Sequence, residues 1–287
     1  MALAEFVPEI WSGRVLTRLN VASVYRNVCT TEYEGEISQF GDVVRINEIG
    51  RINVNSYTDG TTNWLTIQTL ADASKRLEIN RQYYTAFHLD DVTGAQTKPK
   101  LMMAYMDQSA KDLAAEEDEY LSTLYSDAGT IVTGTSAAGT AVASTNVMKY
   151  LSLAQQALDE SNTPTEGRWI VVPPWFAQKM SLANIALNTD NKDTMGSGYL
   201  GSTFYGFNVY MSNNVYHTTP ASNGEAAILC GYTGSIAVAN QISSMQQLPA
   251  TTMGFNTIVK MLHVYGAKVI RPNNLAVLWC DYTAEAT

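Results

Sequence analysis

The histidines are the first residues to test for chemistry, because imidazole titrates near neutral pH and binds metal ions. The sequence has three, His88, His217 and His263, and none has a second His or a Cys at the spacing of a metal site. His88 lies close to Asp90 and Asp91, which could supply half of a metal site, but such a group is more often a solvated turn. Nothing sets up a nucleophile, a histidine and an acid together. We therefore predict no catalytic residue and no metal ligand.

One glycine pattern is typical of nucleotide-binding loops. Residues 196–201 read GSGYLG, which fits G-x-G-x-x-G. In a dinucleotide site this pattern follows a strand and opens a helix. Here it follows the polar stretch 188–193 and leads into strand-like aromatic sequence. The better interpretation is a turn in which glycine permits positive φ, so we predict no cofactor.

Composition narrows the class of protein further. The chain has 287 residues, 46% of them hydrophobic and only 16% charged. A charged share below the usual quarter leaves much neutral surface, which suits a subunit covered by neighbours as well as a neutral-surfaced monomer. The net charge is −9, and the longest run of charge is the acidic stretch 116–119. Because nucleic-acid binders present basic stripes, we expect no direct binding of nucleic acid.

The cysteines and the hydropathy argue against a secreted or membrane protein. Cys29, Cys230 and Cys280 are odd in number and far apart, so no disulfide framework is indicated. We expect buried, reduced thiols, as in a protein made in the cytoplasm. The sequence shows no signal peptide and no apolar stretch of about twenty residues, so we predict no membrane partner.

Patterning along the chain predicts the elements in the order β, long α, mixed α and β, then β. Residues 1–34 form a weakly amphipathic arm whose apolar stripe includes Trp11 and Leu16. Residues 35–90 resemble a long projecting hairpin, because turn residues at 58–61 separate strand-like segments that are too poor in apolar residues for a thick core. Its tip holds Tyr57 and Trp64.

A long helix is predicted for residues 97–127, with an apolar face and a strongly acidic polar face. The Gly/Ala/Thr-rich stretch 129–144 is interpreted as a connector. Further helices are predicted at 145–160 and 174–187, and short strands at 168–172, 207–211, 226–230, 235–239, 257–265, 267–271 and 275–282. The closing strands need partners, so we expect them to pack on the long helix around an inserted middle unit.

The most informative stretch is 158–174, LDESNTPTEGRWIVVPP. A helix with an acidic end runs into a turn, and an apolar strand then stops at Pro173 and Pro174, which fix φ and lack backbone donors. We expect Trp169 to be buried and Arg168 to tie down the turn. This sequence pattern resembles that of the major capsid proteins of tailed double-stranded-DNA bacteriophages.

Other segments resemble the same family in the same order. Residues 201–214 resemble its axial-domain turn, 260–272 its returning strands, and 14–27 with 33–46 its arm entering an extended loop. The resemblance implies an α+β fold with an N-terminal arm, an extended β-hairpin loop, a long spine helix in a discontinuous peripheral domain, and an inserted axial domain. The boundaries that it implies are 1–34 for the arm, 35–92 for the extended loop, 93–139 with 255–287 for the peripheral domain, and 140–254 for the axial domain.

The resemblance also implies the function and its contacts. Many copies would assemble into an icosahedral shell around the genome, with the arm tucked under a neighbour and the loop lying across one. The basic loop residues would form salt bridges to acidic neighbours, each contributing about 0–1 kcal/mol. Some capsids of this fold cross-link a loop lysine to a neighbour, but an ordinary surface lysine is the favoured interpretation here. Candidate inter-subunit contacts are Trp11, Arg14, Leu16, Arg51, Tyr57, Trp64, Lys75, Arg76 and Arg81.

The implied partners are other copies of the chain in hexamers and pentamers, a portal, and in some relatives a decoration protein. Some members carry a cleaved scaffolding segment before the arm. The arm here begins almost at Met1, so such a segment is either absent or already removed; if it is absent, we expect a separate scaffolding protein. The acidic run 116–119 is either a solvated helix face or an inner surface that repels packaged DNA. Alternatives are the shell of a prokaryotic encapsulating compartment and, least favoured, a nucleotide-dependent enzyme.

Overall fold

The structure is a computed structural model. It describes residues 23–33, 43–49, 72–90, 99–183, 199–204, 206–218, 225–249 and 256–282. The α-helices within these ranges are α1 (Pro99–Ser122), α2 (Val147–Glu160) and α3 (Pro174–Leu182). The strands are β1 (Val43–Ile49), β2 (Asp72–Glu78), β3 (Arg81–Asp90), β4 (Thr130–Thr133), β5 (Thr140–Val142), β6 (Arg168–Val172), β7 (Tyr199–Phe204), β8 (Phe207–Met211), β9 (Ala226–Tyr232), β10 (Ile236–Pro249), β11 (Asn256–Val269) and β12 (Leu275–Tyr282). None of the described helices is long and apolar enough to cross a membrane.

A seven-stranded mixed sheet holds most of the core. Its order is β4-β12-β9-β6-β8-β7, with β5 also paired to β12. All five residues of β6 are buried, because apolar clusters cover both faces of the sheet. Ile170 and Val172 pack with the α2 residues Leu151 and Leu158 on one face. Trp169, with Val171, faces the opposite cluster. This burial on two sides explains why β6 is a continuous apolar run rather than an alternating one.

The long helix α1 rests on a second, antiparallel sheet of order β10-β11-β3. Met106 and Ala110 of α1 pack on Val259 and Met261 of β11. At its end α1 continues as a 3₁₀ turn, Thr123–Asp127, and Leu121 with Leu124 enters the core of the seven-stranded sheet. The helix therefore links the two sheets, as expected for a spine.

The hairpin base is a third sheet, in which β1 and β2 are antiparallel and in register from Val43↔Glu78 to Ile49↔Asp72. Val44, Ile46 and Leu77 form a small core of their own with residues of β10 and β11. Residues 50–71, which include the predicted tip, lie outside the described residues. Within the described part, the hairpin is thus anchored on the sheet that carries the spine helix.

The structure confirms the long helix, the helix before residue 160 and the strand at 168–172. The interpretation of 129–144 as a connector was wrong, because β4 and β5 lie there and pair in parallel with β12. Small, weakly apolar segments become strands once a buried edge offers partners. The predicted break at Gly266 was also wrong, since β11 runs through it. A Cβ on Gly266 would lie 2.3 Å from the carbonyl oxygen of Glu78, so glycine is required there for close approach of two backbones.

Strand pairing bears on the predicted domain division at two places. Strand β12, expected to pack on the spine helix, lies inside the seven-stranded sheet next to β9, where Leu275 and Trp279 share a core cluster with Leu121 of α1. Strand β10 was assigned to the middle unit, but it pairs with β11 along thirteen positions in the sheet under α1. Sequence order alone does not reveal these exchanges, because both strands are apolar enough for either sheet. The domain boundaries themselves stay a prediction.

Candidate inter-subunit surfaces

Six of the predicted contact residues lie outside the described residues, and they stay predictions: Trp11, Arg14, Leu16, Arg51, Tyr57 and Trp64. Lys75, Arg76 and Arg81 are described. Lys75 is half-buried at the hairpin base, where its Nζ donates a hydrogen bond to the carbonyl of Ile270. Lys75 therefore ties the hairpin to its own subunit.

Arg76 and Arg81 are exposed beside two polar grooves that flank Tyr120 of α1. One groove, of about 470 Å³, is lined by Arg76, Asp127 and Lys268 among others; the other, of about 400 Å³, has Arg81 in its wall. The Arg81 guanidinium lies 4.6 Å above the Tyr120 ring, and Lys268 Nζ donates to Asp127 Oδ2 at 2.8 Å. The first groove presents this ion pair, and the second is lined by Arg81 together with Glu116 and Glu119. Charges of both signs suit specific docking more than strong adhesion.

An apolar surface that the sequence reasoning missed lies on the outer face of the three-stranded sheet. Tyr84 of β3 is 75% exposed there, beside a cavity of about 320 Å³. Leu262 of β11 lies opposite Tyr84 in the sheet register. Lys260 is the charged residue in the cavity wall. An exposed aromatic ring over an aliphatic floor is typical of a docking surface. The signal was the alternation in β3, where Tyr83 packs toward α1 and Tyr84 therefore points away.

The acidic run on α1 is split between solvent and core. Glu116 and Glu119 are exposed, but Glu117 and Asp118 are 0% and 2% exposed. The expectation that the whole run lies on the polar face was therefore wrong. Four consecutive helical residues span more than one turn, so part of the run must face the side on which residues 23–30 pack.

Asp118 receives three hydrogen bonds from one short segment before the hairpin. The Ser23 hydroxyl donates to Oδ1 at 2.5 Å, the Val24 N–H to Oδ2 at 2.8 Å and the Tyr25 N–H to Oδ1 at 3.1 Å. Burial raises the pKa of Asp118 to about 6, although these three hydrogen bonds act to lower it. Glu117, its neighbour on the helix, raises this pKa further.

Glu117 joins the same segment to the sheet. Its Oε2 lies 3.2 Å from Nε2 of His263 on β11, and its Oε1 lies 3.9 Å from Nη1 of Arg26. His263 is 1% exposed and also lies against the Tyr265 ring, at 5.0 Å between centroids. Burial raises the pKa of Tyr265 far above its ordinary value. Glu117 thus connects the segment at Arg26 to strand β11.

A second ion pair fixes the turn between α2 and β6. Arg168 is 2% exposed, and its Nη1 lies 2.7 Å from Asp159 Oδ1. Its Nε donates to the Pro164 carbonyl at 2.8 Å and its Nη2 to the Thr163 carbonyl at 2.6 Å. Asn162, with φ 54°, supplies the left-handed residue of this turn. The predicted role of Arg168 is confirmed.

Across the ranges that the structure describes, no group of three or more His, Cys, Asp and Glu side chains is arranged to hold a metal ion. The G-x-G-x-x-G stretch enters β7 at Tyr199, whereas a dinucleotide loop would open a helix. The described residues of this stretch therefore offer no phosphate-binding helix end.

In this subunit a spine helix joins two sheets, and a hairpin is anchored on the sheet beneath that helix. Exposed apolar and charged surfaces remain for contact with other subunits. A family model described as phage capsid protein matches residues 83–278. The chain therefore belongs to the phage capsid protein family: it is a structural protein of a virion capsid, and it associates with copies of itself into a shell. No curated protein matches it in sequence.

Solved structures have the same fold. A structure from Mycobacterium phage Che8 is 24% identical, with a TM-score of 0.71 over 89% of this chain and 90% of that chain. The capsid of Cyanophage P-SCSP1u is 18% identical, with a TM-score of 0.67 over 91% and 89%. A virus-like particle from Pyrococcus furiosus is 11% identical, with a TM-score of 0.56 over 94% and 98%. The predicted tailed-phage capsid fold is confirmed, and the alternative functions are not favoured.

Proposed function

We propose that many copies of this chain close an icosahedral shell, through hexamers and pentamers, around a packaged double-stranded DNA genome. The net charge of −9 supports enclosure of DNA without specific binding. We further propose that the subunit is made in the cytoplasm of a bacterial host and catalyses no reaction. A separate scaffolding protein, a portal and a decoration protein complete the proposed set of partners.

The observation that carries this proposal is the exposed apolar surface at Tyr84 and Leu262, on the sheet that also supports the hairpin. A monomer gains nothing by exposing a ring there, but a shell subunit can cover it with a neighbour. The grooves at Arg76 and Arg81 lie beside Tyr120 of α1, away from the Tyr84 surface, and they offer charged residues for a second contact with a neighbour.

Shortening the hairpin tests the proposal most directly. Ile49 and Asp72 are paired in the hairpin base, so residues 50–71 can be replaced by an Asn-Gly turn without disturbing the paired strands. We expect a folded subunit that no longer forms shells in electron micrographs. Shells of normal size from this variant would contradict the role of the hairpin.

The apolar surface is tested by Tyr84→Asp, with Tyr84→Phe as the matched control. The aspartate would place a charge against an apolar floor and block docking, whereas the phenylalanine keeps the ring. We expect shells from the control and small oligomers from Tyr84→Asp, both with wild-type thermal stability. Equal shell yields from the two variants would remove Tyr84 from the interface.

Nucleic acid inside purified particles, rather than an enzyme cargo, separates the virion from the compartment alternative.

A further inference from the structure

The segment that precedes the hairpin is held at both of its ends. At Ser23 it is bound by Asp118 of α1. At Thr30 it joins a sheet, because the Thr30 N–H donates to the Ile236 carbonyl at 2.9 Å and the Val238 N–H donates to the Thr30 carbonyl at 3.0 Å. Between these ends the Tyr25 side chain is fully buried. The segment 23–30 therefore belongs to the body of the subunit.

A buried carboxylate is not needed simply to attach this segment to the body of the subunit. Apolar packing of Tyr25 and Val28 already attaches it, and burying a carboxylate costs free energy even when the charge is well paired. What the carboxylate adds is recognition of position. It binds one hydroxyl and the next two backbone N–H groups. A shift of the chain by one residue would leave the buried carboxylate without its hydroxyl partner, and buried polar groups are known to fix register in this way.

We propose that Asp118 is a positioning residue that fixes the register of segment 23–30 on the spine helix, so that every copy presents its N-terminal arm to a neighbour from the same point. This inference rests on the proposed function, in which the arm contacts an adjacent subunit. Asp118 acts through the arm and not by touching the neighbour. Substituting it should therefore disturb the geometry of the shell more than the fold of the subunit.

The groups around Asp118 come from three elements. The segment itself brings Ser23, Tyr25, Arg26 and Cys29; α1 brings Glu117; and His263 and Tyr265 of β11 face Glu117. Proton uptake at Asp118 accompanies docking of the segment, because the carboxyl is buried only when the segment is in place. Docking should therefore be tightest in acid and should weaken as the pH rises toward 6.

The test uses the purified full chain and the amide exchange protection of Val24 and Tyr25. At pH 7.5 the Asp118 carboxylate is ionised and accepts all three hydrogen bonds, whereas in Asp118→Asn one carboxylate oxygen becomes an NH₂ donor that faces other donors, so at least one hydrogen bond is lost. We expect the protection factors of these two amides to fall about tenfold or more, which corresponds to the loss of a buried charged hydrogen bond. The matched control is Asp112→Asn, the same substitution at an exposed position of the same helix outside both grooves, and it should leave both protection factors unchanged.

A pH series separates positioning from general stability. Between pH 4 and pH 6.5 the wild-type protection at Val24 and Tyr25 should fall on the order of a hundredfold, from the difference between the ordinary pKa of 3.8 and the value of about 6. This difference should be absent in Asp118→Asn. If that variant fails to fold, Ser23→Ala removes one hydrogen bond and leaves the carboxylate in place. Its loss of protection should be confined to the same amides.

Shell morphology completes the test. We expect irregular or open assemblies from Asp118→Asn and closed shells from Asp112→Asn. Regular shells from Asp118→Asn with unchanged protection of Val24 and Tyr25 would overturn the inference, and so would protection lost equally in both variants. If the wild-type chain forms no shells, the proposed function fails, and the exchange measurements still decide whether Asp118 anchors the segment.

Discussion

Replacing Arg168 by alanine should be among the most destabilising single changes in the seven-stranded sheet. The guanidinium makes one ion pair and donates to two carbonyls of the preceding turn, and it is almost wholly buried. Thr163, whose carbonyl accepts one of these bonds, is itself buried, so water cannot replace the donor easily. The carboxylate of Asp159, in contrast, is about half exposed and can be solvated again.

These differences in exposure set the expected magnitudes. Loss of the charged hydrogen bonds and of the buried guanidinium should cost Arg168→Ala about 2–4 kcal/mol. Asp159→Ala removes the counter-charge of a guanidinium that stays buried on its two carbonyl acceptors, so it should cost less than Arg168→Ala, about 1–2 kcal/mol. The turn would lose the constraint that directs the chain into β6, so the cost falls on the core and not on the surface.

Urea unfolding of the unassembled subunit, followed by tryptophan fluorescence, measures both variants. Trp169 adjoins Arg168 and is buried, so its emission reports unfolding of this sheet. The midpoint should move to lower urea while the slope stays unchanged, since the surface exposed on unfolding is the same. The reasoning is refuted if Arg168→Ala costs less than about 1 kcal/mol, or if Asp159→Ala costs as much as Arg168→Ala.

Three further predictions concern backbone approach, protonation and thiol access. Gly266→Ala should cost about 1–3 kcal/mol in thermal unfolding, because its Cβ would meet the Glu78 backbone; an unchanged melting temperature would contradict this contact. Burial raises the pKa of Asp118 from 3.8 to about 6, so its contribution to stability is fully present below pH 3.8 and is lost as the pH rises to 6. The stability of the wild type relative to Asp118→Asn should thus be about 2 kcal/mol greater at pH 4 than at pH 7, and a constant difference would refute the assignment. Burial raises the pKa of the Cys230 thiol to about 12, so iodoacetamide should label it only after unfolding, as mass spectrometry of native and denatured protein can check.

Local contacts explain what could be predicted from the sequence. The partners of Arg168 are Asp159, Thr163 and Pro164, all within nine positions of it along the chain. Helix α1 and strand β6 likewise follow from patterns inside their own residues. In each case the residues that decide the structure are neighbours in sequence, so pattern and turn chemistry suffice.

The contacts that could not be predicted are the distant ones. The donors to Asp118 come from residues 93 to 95 positions earlier in the chain, and a run of four acids gives no sign that its middle members are buried. Strands β4 and β5 exist only because β12 supplies an edge more than a hundred residues later. The Tyr84 surface depends on knowing which side of β3 the spine helix covers. Partners of this kind become visible only when the sheets are assembled.

The place of β12 has a consequence for how the subunit is made. This strand follows every other strand of the seven-stranded sheet in sequence, yet it lies between β9 and the pair β4 and β5. During synthesis, the edges of β4, β5 and β9 that pair with β12 stay unpaired until residues 275–282 have been made. The seven-stranded sheet therefore cannot be completed until the chain has been synthesised through residue 282.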